Sequence, residues 1–375
     1  MKYTLDDFSS LPGELECLIF PRDRCAENTE PAKDYPAWPA KRGHTMHSVS
    51  GLSLKPDLQV HPGYSRVFQP GKLTFGFIMP LEGYPDSPFP VLENHQQLAG
   101  LADDMGFSAL WTRDIPFYDP SFGDTGQAFD PMVYLGFLAA ATRRIALGTA
   151  GIVLPLRDPL IVAKQAVSVD QLSNGRLILG LSSGDRPSEY PAFGADFDNR
   201  AERFREAVSL IHGVTTDAFP RIKTRHYGRL TGNLNMVPRP RHSRLPTIIV
   251  GRAQQDIDWL AENSDGWIWH RGSFSHLPDI IRAWRESSPD TYFHPYGYGT
   301  FFDLSDDPDE PVRQNWGGIR AGRNALIEFW KKHEAVGVNH VALNLKPLQR
   351  PAEEVLHELA EYVLPHFSPA HRSQA

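Results

Sequence analysis

The sequence predicts an α/β protein in which eight parallel strands close into a TIM barrel, (β/α)8, surrounded by helices. Three observations lead to this fold class. Short apolar segments alternate with longer amphipathic segments eight times between residues 73 and 364. The apolar segments have no polar face, which is typical of a parallel sheet covered by helices. Two of the amphipathic segments open with the same Asp-Pro helix-start signal. Eight repeats favour a closed barrel over the alternative, an open doubly wound sheet.

The first four repeats lie between residues 73 and 212. The first strand ends at Pro80, and the helix after it carries apolar residues at helical spacing until Gly106. The helices of the second and third repeats begin at Asp130 and Asp158, each followed by proline, because an aspartate caps the first turn and proline suits its first position. The four strands are predicted at residues 73–79, 109–111, 145–149 and 177–181, and the fourth helix at about 200–212.

The second half of the barrel follows an interruption. Residues 215–245 contain two glycines and the consecutive Pro-Arg pairs 238–239 and 240–241, which predicts an insertion after the fourth helix in the form of a hairpin. The remaining strands are predicted at residues 247–250, 266–269, 296–304 and 340–345, and their helices at about 254–263, 277–286, 323–336 and 351–364.

The ends of the chain differ from the barrel. Residues 1–70 contain many prolines and polar residues and have no sustained periodicity, so we predict an irregular N-terminal extension there. The barrel is assigned to residues 71–367, including the insertion at 215–245, and residues 368–375 form a C-terminal tail.

Composition excludes several classes of protein. The net charge is −7, with no basic block, so no nucleic-acid partner is expected. Two cysteines do not make a disulfide framework. The first residues lack the pattern of a signal peptide, and no apolar run approaches the length needed to span a membrane. We therefore expect a cytoplasmic protein without a membrane partner.

The chemistry of such a barrel is expected where the strands end, at their carboxyl termini. The loops there are rich in Gly, hydroxyl groups and Arg, which suit a phosphate. They show no sequential cluster of metal ligands, so no metal is expected. The candidate catalytic residues are Trp111, Arg113, Asp114 and His270.

Each candidate has a structural alternative. Trp111 either forms a pocket wall or fills the core. Arg113 and Asp114 either pair with each other or act directly. His270 is either an acid or base, since a histidine titrates near neutrality, or a structural group. Residues 317–320, before the seventh helix, offer a competing phosphate site, and the acidic residues 303–310 form either a solvated loop or a lid.

One segment carries a family resemblance. Residues 170–176 read D-Q-L-S-N-G-R, followed by a strand, a Gly-rich loop and an F-G-x-D-F segment from Phe193. From Lys72 to Phe367 the chain resembles the bacterial luciferase-like flavin monooxygenases. The resemblance implies a TIM barrel, reduced FMN, molecular oxygen, a separate NAD(P)H:flavin reductase and a homodimer. Some relatives use a deazaflavin instead and transfer hydride.

The resemblance also implies cofactor-binding residues. Arg200 occupies the position of an arginine that reaches the phosphate of FMN, although Ser183 replaces an arginine found in some relatives. We expect Arg200→Ala to weaken FMN binding by more than about 1 kcal/mol. A cis peptide bond is expected between Ala150 and Gly151. The residues expected to contact the cofactor are Thr149, Ala150, Gly151, Ser183, Gly184, Asp185, Arg200, Gly251, Arg252, Ala253 and Gln254.

The function predicted from the sequence is a flavin-dependent monooxygenase acting on a small organic substrate. Three alternatives stay open. A deazaflavin-dependent reductase or dehydrogenase would have the same fold. A metal-dependent barrel hydrolase would need His and Asp at several strand ends, and the chain offers His270, Asp114 and Asp185. A non-catalytic flavin-binding protein would bind the cofactor without oxygen chemistry.

Overall fold

The computed structural model describes residues 52–270, 274–288, 291–315 and 318–367. The strands, in chain order, are β1 (Thr74–Ile78), β2 (Ala109–Thr112), β3 (Ala146–Thr149), β4 (Ile152–Val153), β5 (Leu177–Ser182), β6 (Arg221–Lys223), β7 (Arg229–Thr231), β8 (Thr247–Val250), β9 (Trp267–His270), β10 (Tyr296–Leu304), β11 (Arg313–Asn315), β12 (Gly318–Ala321) and β13 (His340–Asn344).

The helices alternate with these strands. In chain order they are α1 (Pro56–Gln59), α2 (Pro62–Val67), α3 (His95–Asp104), α4 (Pro131–Ala141), α5 (Pro159–Leu172), α6 (Glu189–Ala192), α7 (Arg200–Thr216), α8 (Ile257–Asn263), α9 (Leu277–Ser287), α10 (Arg323–Val336) and α11 (Ala352–Glu358). A π-helical turn, Leu359–Val363, and a 3-10 turn, Leu364–His366, continue α11.

Eight parallel strands close into a barrel in the order β1, β2, β3, β5, β8, β9, β10 and β13. The closure is made by β13, which pairs with β1 in register from Thr74 opposite His340 to Ile78 opposite Asn344. The predicted barrel is confirmed, and the open-sheet alternative is excluded because both edges are paired.

The two Asp-Pro signals begin helices as predicted. The Asp130 carboxylate accepts hydrogen bonds from the backbone N–H of Met132 (2.9 Å) and Val133 (3.1 Å). Asp158 caps α5 in the same way, through the N–H groups of Leu160 and Ile161. These caps satisfy N–H groups that would otherwise lack partners at the helix start.

The insertion at residues 215–245 contains the predicted hairpin. Strands β6 and β7 pair antiparallel, from Arg221 opposite Thr231 to Lys223 opposite Arg229. The hairpin packs on the outside of the barrel, where Arg239 donates to the carbonyls of Val214 (3.3 Å) and Asp217 (3.0 Å) at the end of α7. Helix α7 is longer than predicted and ends at Thr216.

Residues 52–70 are not irregular, in contrast to the prediction for this part of the chain. They form α1 and α2, whose side chains close the amino-terminal end of the barrel. Tyr64, Val67 and Phe68 are fully buried against strand residues that point into the barrel. Arg244 ties this segment to the base of the barrel by pairing with Asp57 (2.6 Å) and Asp265 (2.5 Å). We call residues 52–68 the plug.

The D-Q-L-S-N-G-R segment lies beside the plug, at the end of the barrel away from the carboxyl termini of the strands. Arg176 is buried and donates hydrogen bonds to the carbonyls of Ala139 (3.1 Å), Thr142 (3.0 Å) and Ile145 (2.7 Å). The arginine therefore terminates α4 and joins it to β3 and β5.

Some predictions fall outside the described residues. These are the extension at residues 1–51, Gly317 of the competing phosphate site, and the tail at 368–375. Among the helices that are described, none is long and apolar enough to cross a membrane.

Candidate active site

A cavity of about 560 Å³ opens at the carboxyl ends of the barrel strands. Its volume lies within the range of roughly 300–1,000 Å³ that is usual for small-molecule sites. All of the sequence-predicted site residues except Arg200 line it. The lining also includes residues that the sequence analysis did not select, at the ends of β1, β10 and β13 and on the loop after β2: Ile78, Gly299, Phe301, Ala342, Asn344 and Phe122.

Trp111 forms part of the base of the cavity. Its indole N–H donates to Nε2 of His340 at 2.9 Å, and the Nδ1 of His340 lies 2.8 Å from Thr74 Oγ1. An indole nitrogen can only donate, so the Nε2 of His340 must accept and its Nδ1 must carry the proton. Burial lowers the pKa of His340 to about 3, which keeps the ring neutral. Trp111 is therefore held in one orientation by a neutral histidine.

Arg113 and Asp114 do not pair with each other. The Arg113 guanidinium contacts Asp124, while Asp114 pairs with Arg157 and accepts the Val153 N–H at 2.9 Å. Burial alone would raise the pKa of Asp124, but Arg113 and two further hydrogen bonds lower it below its usual value. Both residues line the cavity, and both fix the loops around it.

The loop after β3 supports the wall of the cavity. Thr149 is buried, and its hydroxyl donates to the carbonyl of Gly180 at 2.6 Å. The Ala150 N–H donates to Thr112 O at 2.7 Å. In the described part of the chain the cis peptide bonds are Met79–Pro80 and Val237–Pro238. The Ala150–Gly151 bond is therefore trans, and the expectation of a cis bond there was wrong.

The loop after β5 brings charged groups to the cavity. Ser183 and Gly184 follow the strand, and Asp185 is exposed at the mouth. Arg186 and Glu189 line the same cavity, although each is only 5% exposed. Burial raises the pKa of Glu189 to about 7, despite the opposing effect of Arg186.

The loop after β8 has the backbone shape of an anion-binding site. Gly251, Ala253 and Gln254 have positive φ angles of 70°, 48° and 58°. Turns that combine right-handed and left-handed residues can gather backbone N–H groups into a concave surface that attracts anions. Arg252 lies in the middle of the turn and lines the cavity. The phosphate contact that the sequence analysis assigned to this loop stays a prediction.

Arg200 lies behind the loop after β5. Its guanidinium stacks 3.5 Å from the centre of the Phe197 ring and donates to Phe197 O at 2.6 Å. Phe197 packs edge-on against Tyr190, whose hydroxyl donates to the carbonyl of Ser183. Arg200 thus supports Ser183 indirectly, and its contact with a phosphate stays a prediction.

His270 and the competing phosphate site are placed differently. His270 is exposed at the end of β9 and packs edge-on against Phe301, with 5.3 Å between the ring centres. Of residues 317–320, Gly318 to Arg320 belong to strand β12 rather than to a loop before a helix. Arg320 pairs with Asp303 and Glu310, so the acidic residues and this arginine bind each other.

The metal-hydrolase alternative depended on ligands from several strand ends. His270, Asp114 and Asp185 all line the cavity, but among the described residues no group of three or more His, Cys, Asp or Glu side chains is arranged to hold a metal ion.

The fold and this cavity define a barrel with a small-molecule site at the carboxyl face of its strands. The profile of the luciferase-like monooxygenases matches residues 73–314. The chain therefore belongs to the luciferase-like monooxygenase family, as the resemblance implied.

The individual relatives include monooxygenases and an F420-dependent dehydrogenase. A 4-hydroxyprotoasukamycin monooxygenase from Streptomyces nodosus subsp. asukaensis is 31% identical over 180 residues, 48% of this chain and 47% of the relative, so the match spans about half of that protein. The solved structure of the monooxygenase RslO1 from Streptomyces bottropensis has a TM-score of 0.66 at 20% identity, covering 79% of this chain and 100% of that one. An F420-dependent secondary alcohol dehydrogenase, solved with an F420–acetone adduct, has a TM-score of 0.64 at 17% identity, covering 79% and 99%.

Proposed function

We propose that this chain is an oxidoreductase, a flavin-dependent monooxygenase that uses reduced FMN and molecular oxygen to oxidise a small organic substrate. The observation that carries the proposal is the cavity itself, which combines an aromatic base at Trp111 with an anion-binding turn at residues 251–254. An aromatic ring system with a phosphate on a flexible chain matches both features. The relationship to a monooxygenase of known substrate supports the same activity.

The residues present fit a flavin phosphate. A Cβ built on Gly251 would meet nothing within 4 Å, so the turn leaves room for a ligand close to its backbone. Arg252 would add a guanidinium to the backbone N–H groups of Ala253 and Gln254. Ser183 and Gly184 would contact the cofactor from the neighbouring loop.

The protein would supply orientation and exclusion of water. When bound, reduced flavin supplies the electrons that activate oxygen. The neutral Trp111–His340 pair keeps the base of the cavity apolar, and the Arg113–Asp124 and Asp114–Arg157 pairs hold the loops that surround the substrate. We propose an NAD(P)H:flavin reductase as the source of reduced FMN, a homodimer as the active form, and the cytoplasm as its location.

A deazaflavin is the second candidate cofactor, with hydride transfer as the reaction. It is supported by the structural similarity to the F420-dependent alcohol dehydrogenase, which shows that this fold accommodates such a cofactor. Arg186 and Arg252, which both line the cavity, would offer cationic groups to its anionic tail.

Titration of the purified protein with reduced FMN without oxygen, followed by mixing with oxygen, tests the proposal. We expect saturable binding and reoxidation that is slower than that of free reduced FMN and faster when a substrate is oxidised. Failure to bind FMN together with tight binding of the deazaflavin would replace the monooxygenase proposal with the hydride-transfer alternative.

Two arginine variants test the phosphate site in the same titration. We expect Arg252→Ala to weaken FMN binding, because its guanidinium lies on the anion-binding turn. Arg200→Ala is also expected to weaken it by more than about 1 kcal/mol, roughly a fivefold increase in Kd, through the phosphate contact or through Ser183. Arg229→Ala, on the exposed hairpin, is the control. Unchanged affinity in folded Arg200→Ala would remove Arg200 from the site.

A further inference from the structure

Two charged side chains of the cavity each have a buried atom without a hydrogen-bond partner in the part of the chain that the structure describes. The Nη1 of Arg186 and the Oε1 of Glu189 are buried and have no hydrogen-bond partner among the residues that the structure describes. The two residues share one turn of chain, because the Glu189 N–H donates to the Arg186 carbonyl at 3.2 Å. Both side chains line the cavity. A buried hydrogen-bond donor and a buried acceptor therefore belong to two neighbouring residues of the cavity wall.

Arg186 is already fixed in position. Its Nη2 donates to the carbonyl of Asp124 at 3.4 Å, and its guanidinium carbon lies 4.4 Å from the centre of the Phe122 ring. Leaving a buried polar group without a partner is unfavourable, and it is more unfavourable for a charged group. Other charged residues of the cavity, such as Arg113 and Asp114, are satisfied by protein partners. The free atoms of Arg186 and Glu189 are thus best explained by a ligand that pairs with both.

We propose that Arg186 and Glu189 bind the acidic hydroxyl of an aromatic substrate, a phenol, and that Glu189 is the catalytic residue that takes its proton. This inference rests on the proposed function, since it identifies the class of substrate for the same cavity. The phenol oxygen accepts a hydrogen bond from Arg186 Nη1, and its O–H donates to Glu189 Oε1.

The opposite charges of Arg186 and Glu189 favour a phenol over other classes of substrate. A carboxylate would be repelled by Glu189, and an ammonium group would be repelled by Arg186. An aromatic ring fits the surrounding side chains of Trp111, Phe122 and Phe301. A phenol satisfies both partners with one oxygen atom.

The proposed step is a proton transfer. The O–H bond of the phenol breaks, its electron pair stays on the oxygen, and the proton forms a new O–H bond at Glu189 Oε1. Arg186 stabilises the negative oxygen. The resulting phenolate donates electrons into its ring, which prepares a ring carbon to accept oxygen. A carboxyl group whose pKa is about 7 is suited to take up a proton near neutrality.

Binding of 4-nitrophenol to the flavin-free protein tests the pair without measuring turnover. Calorimetry at about pH 8, in two buffers of different ionisation enthalpy, counts the protons taken up on binding. At that pH most of the free phenol and most of Glu189 are ionised, so a shared proton must come from the buffer. We expect about one proton per bound molecule for the wild type and none for Glu189→Gln.

Two further measurements make the test specific. Glu262→Gln, which alters an exposed carboxylate on α8, is expected to keep the proton uptake of the wild type. Arg186→Lys is expected to weaken 4-nitrophenol binding at least fivefold, because lysine cannot reproduce the planar contact. Circular dichroism confirms that each variant is folded.

Three results would overturn the inference. They are the same proton uptake in Glu189→Gln as in the wild type, no saturable binding of 4-nitrophenol by the wild type, and displacement of 4-nitrophenol by FMN. The last would assign Arg186 and Glu189 to the cofactor. A different result would contradict the proposed function alone. In that case the protein would bind 4-nitrophenol with the expected proton uptake but would not bind reduced FMN.

Discussion

The indole of Trp111 is held between His340 and the backbone of Gly148. The contact with Gly148 is close, because a Cβ at that position would lie 2.2 Å from an indole carbon. A side chain at residue 148 and the observed indole position are therefore incompatible. The orientation of the Trp111 indole therefore depends on residue 148 of β3 being a glycine.

We expect Gly148→Ala to displace the indole and to break its hydrogen bond to His340. The free energy of unfolding should fall by about 1–3 kcal/mol, from overpacking and from the unsatisfied indole N–H. Affinity for FMN should fall as well. Urea unfolding and the FMN titration measure the two effects.

Gly136→Ala provides the matched control for this variant. Gly136 lies within α4 and has open space around a built Cβ, so alanine there should stabilise the protein by about 0.5–1 kcal/mol. Equal stability and equal FMN affinity in Gly148→Ala and the wild type would contradict the role assigned to the Trp111–Gly148 contact.

The positions of predicted strands were enough to select individual site residues, but they did not predict which side chains form ion pairs. Trp111 and Gly251 were selected because they follow predicted strands. The partners of Arg113 and Asp114 were not predicted, since Asp124 and Arg157 approach them only through the folding of separate loops. Glu189 was missed because it lies in a polar segment, and its burial depends on contacts that local sequence does not reveal.

At the level of elements, the plug changes the interpretation of the N-terminal region. Its prolines suggested irregular chain, but Pro56 and Pro62 stand at the first positions of α1 and α2, where proline is tolerated. The helices are four and six residues long, too short for a periodic pattern to indicate them. Their stability comes from apolar side chains inserted into the barrel.

We expect Phe68→Ala to lower the free energy of unfolding by about 3–5 kcal/mol, because its ring is fully buried in the barrel interior. Val60→Ala, at a position that is 67% exposed on the same segment, should change it by less than about 0.5 kcal/mol. Denaturant unfolding measures both. A small effect of Phe68→Ala would mean that the plug contributes little to the stability of the barrel.

Elements with local start signals were predicted closely, while those defined by distant pairing were not. Helix α5 begins after Asp158 as predicted and runs to Leu172, because its cap and its periodicity lie within the segment. Strand β12 was interpreted as a phosphate loop, because its pairing with β10 and β11 depends on residues elsewhere in the chain. The D-Q-L-S-N-G-R segment identified the family, yet Arg176 acts in packing at the opposite end from the cavity.

For the whole molecule, the barrel was predictable because eight repeats of one pattern leave few ways to bury every strand. The consequence of this burial for acid stability can be tested. Burial lowers the pKa of His340 to about 3, and that of His294 and His333 to about 4. In the unfolded chain a histidine takes up a proton near pH 6.5, so acid favours unfolding between about pH 6.5 and pH 4.

We expect stability to fall as the pH falls through this range, by at least about 2 kcal/mol per pH unit near pH 5.5. His294, His333 and His340 contribute most in this direction, and burial also lowers the pKa of His95, His212 and His242. Glu189 opposes them because its pKa is raised to about 7, so its stabilising protonated form is lost as the pH rises. Urea unfolding at several pH values measures the slope. His340→Gln should reduce it by about 1.4 kcal/mol per pH unit, and an unchanged slope would show that His340 is protonated in the folded protein.

The plug also affects the order in which ligands enter and leave the cavity. Residues 52–68 fill the far end of the barrel, so within the described part of the chain the cavity opens at the carboxyl face of the strands. Where two ligands bind one behind the other in such a cavity, the deeper one enters first and leaves last. Steady-state inhibition patterns should then show compulsory-order binding. The ligand that binds second should slow the dissociation of the ligand that bound first.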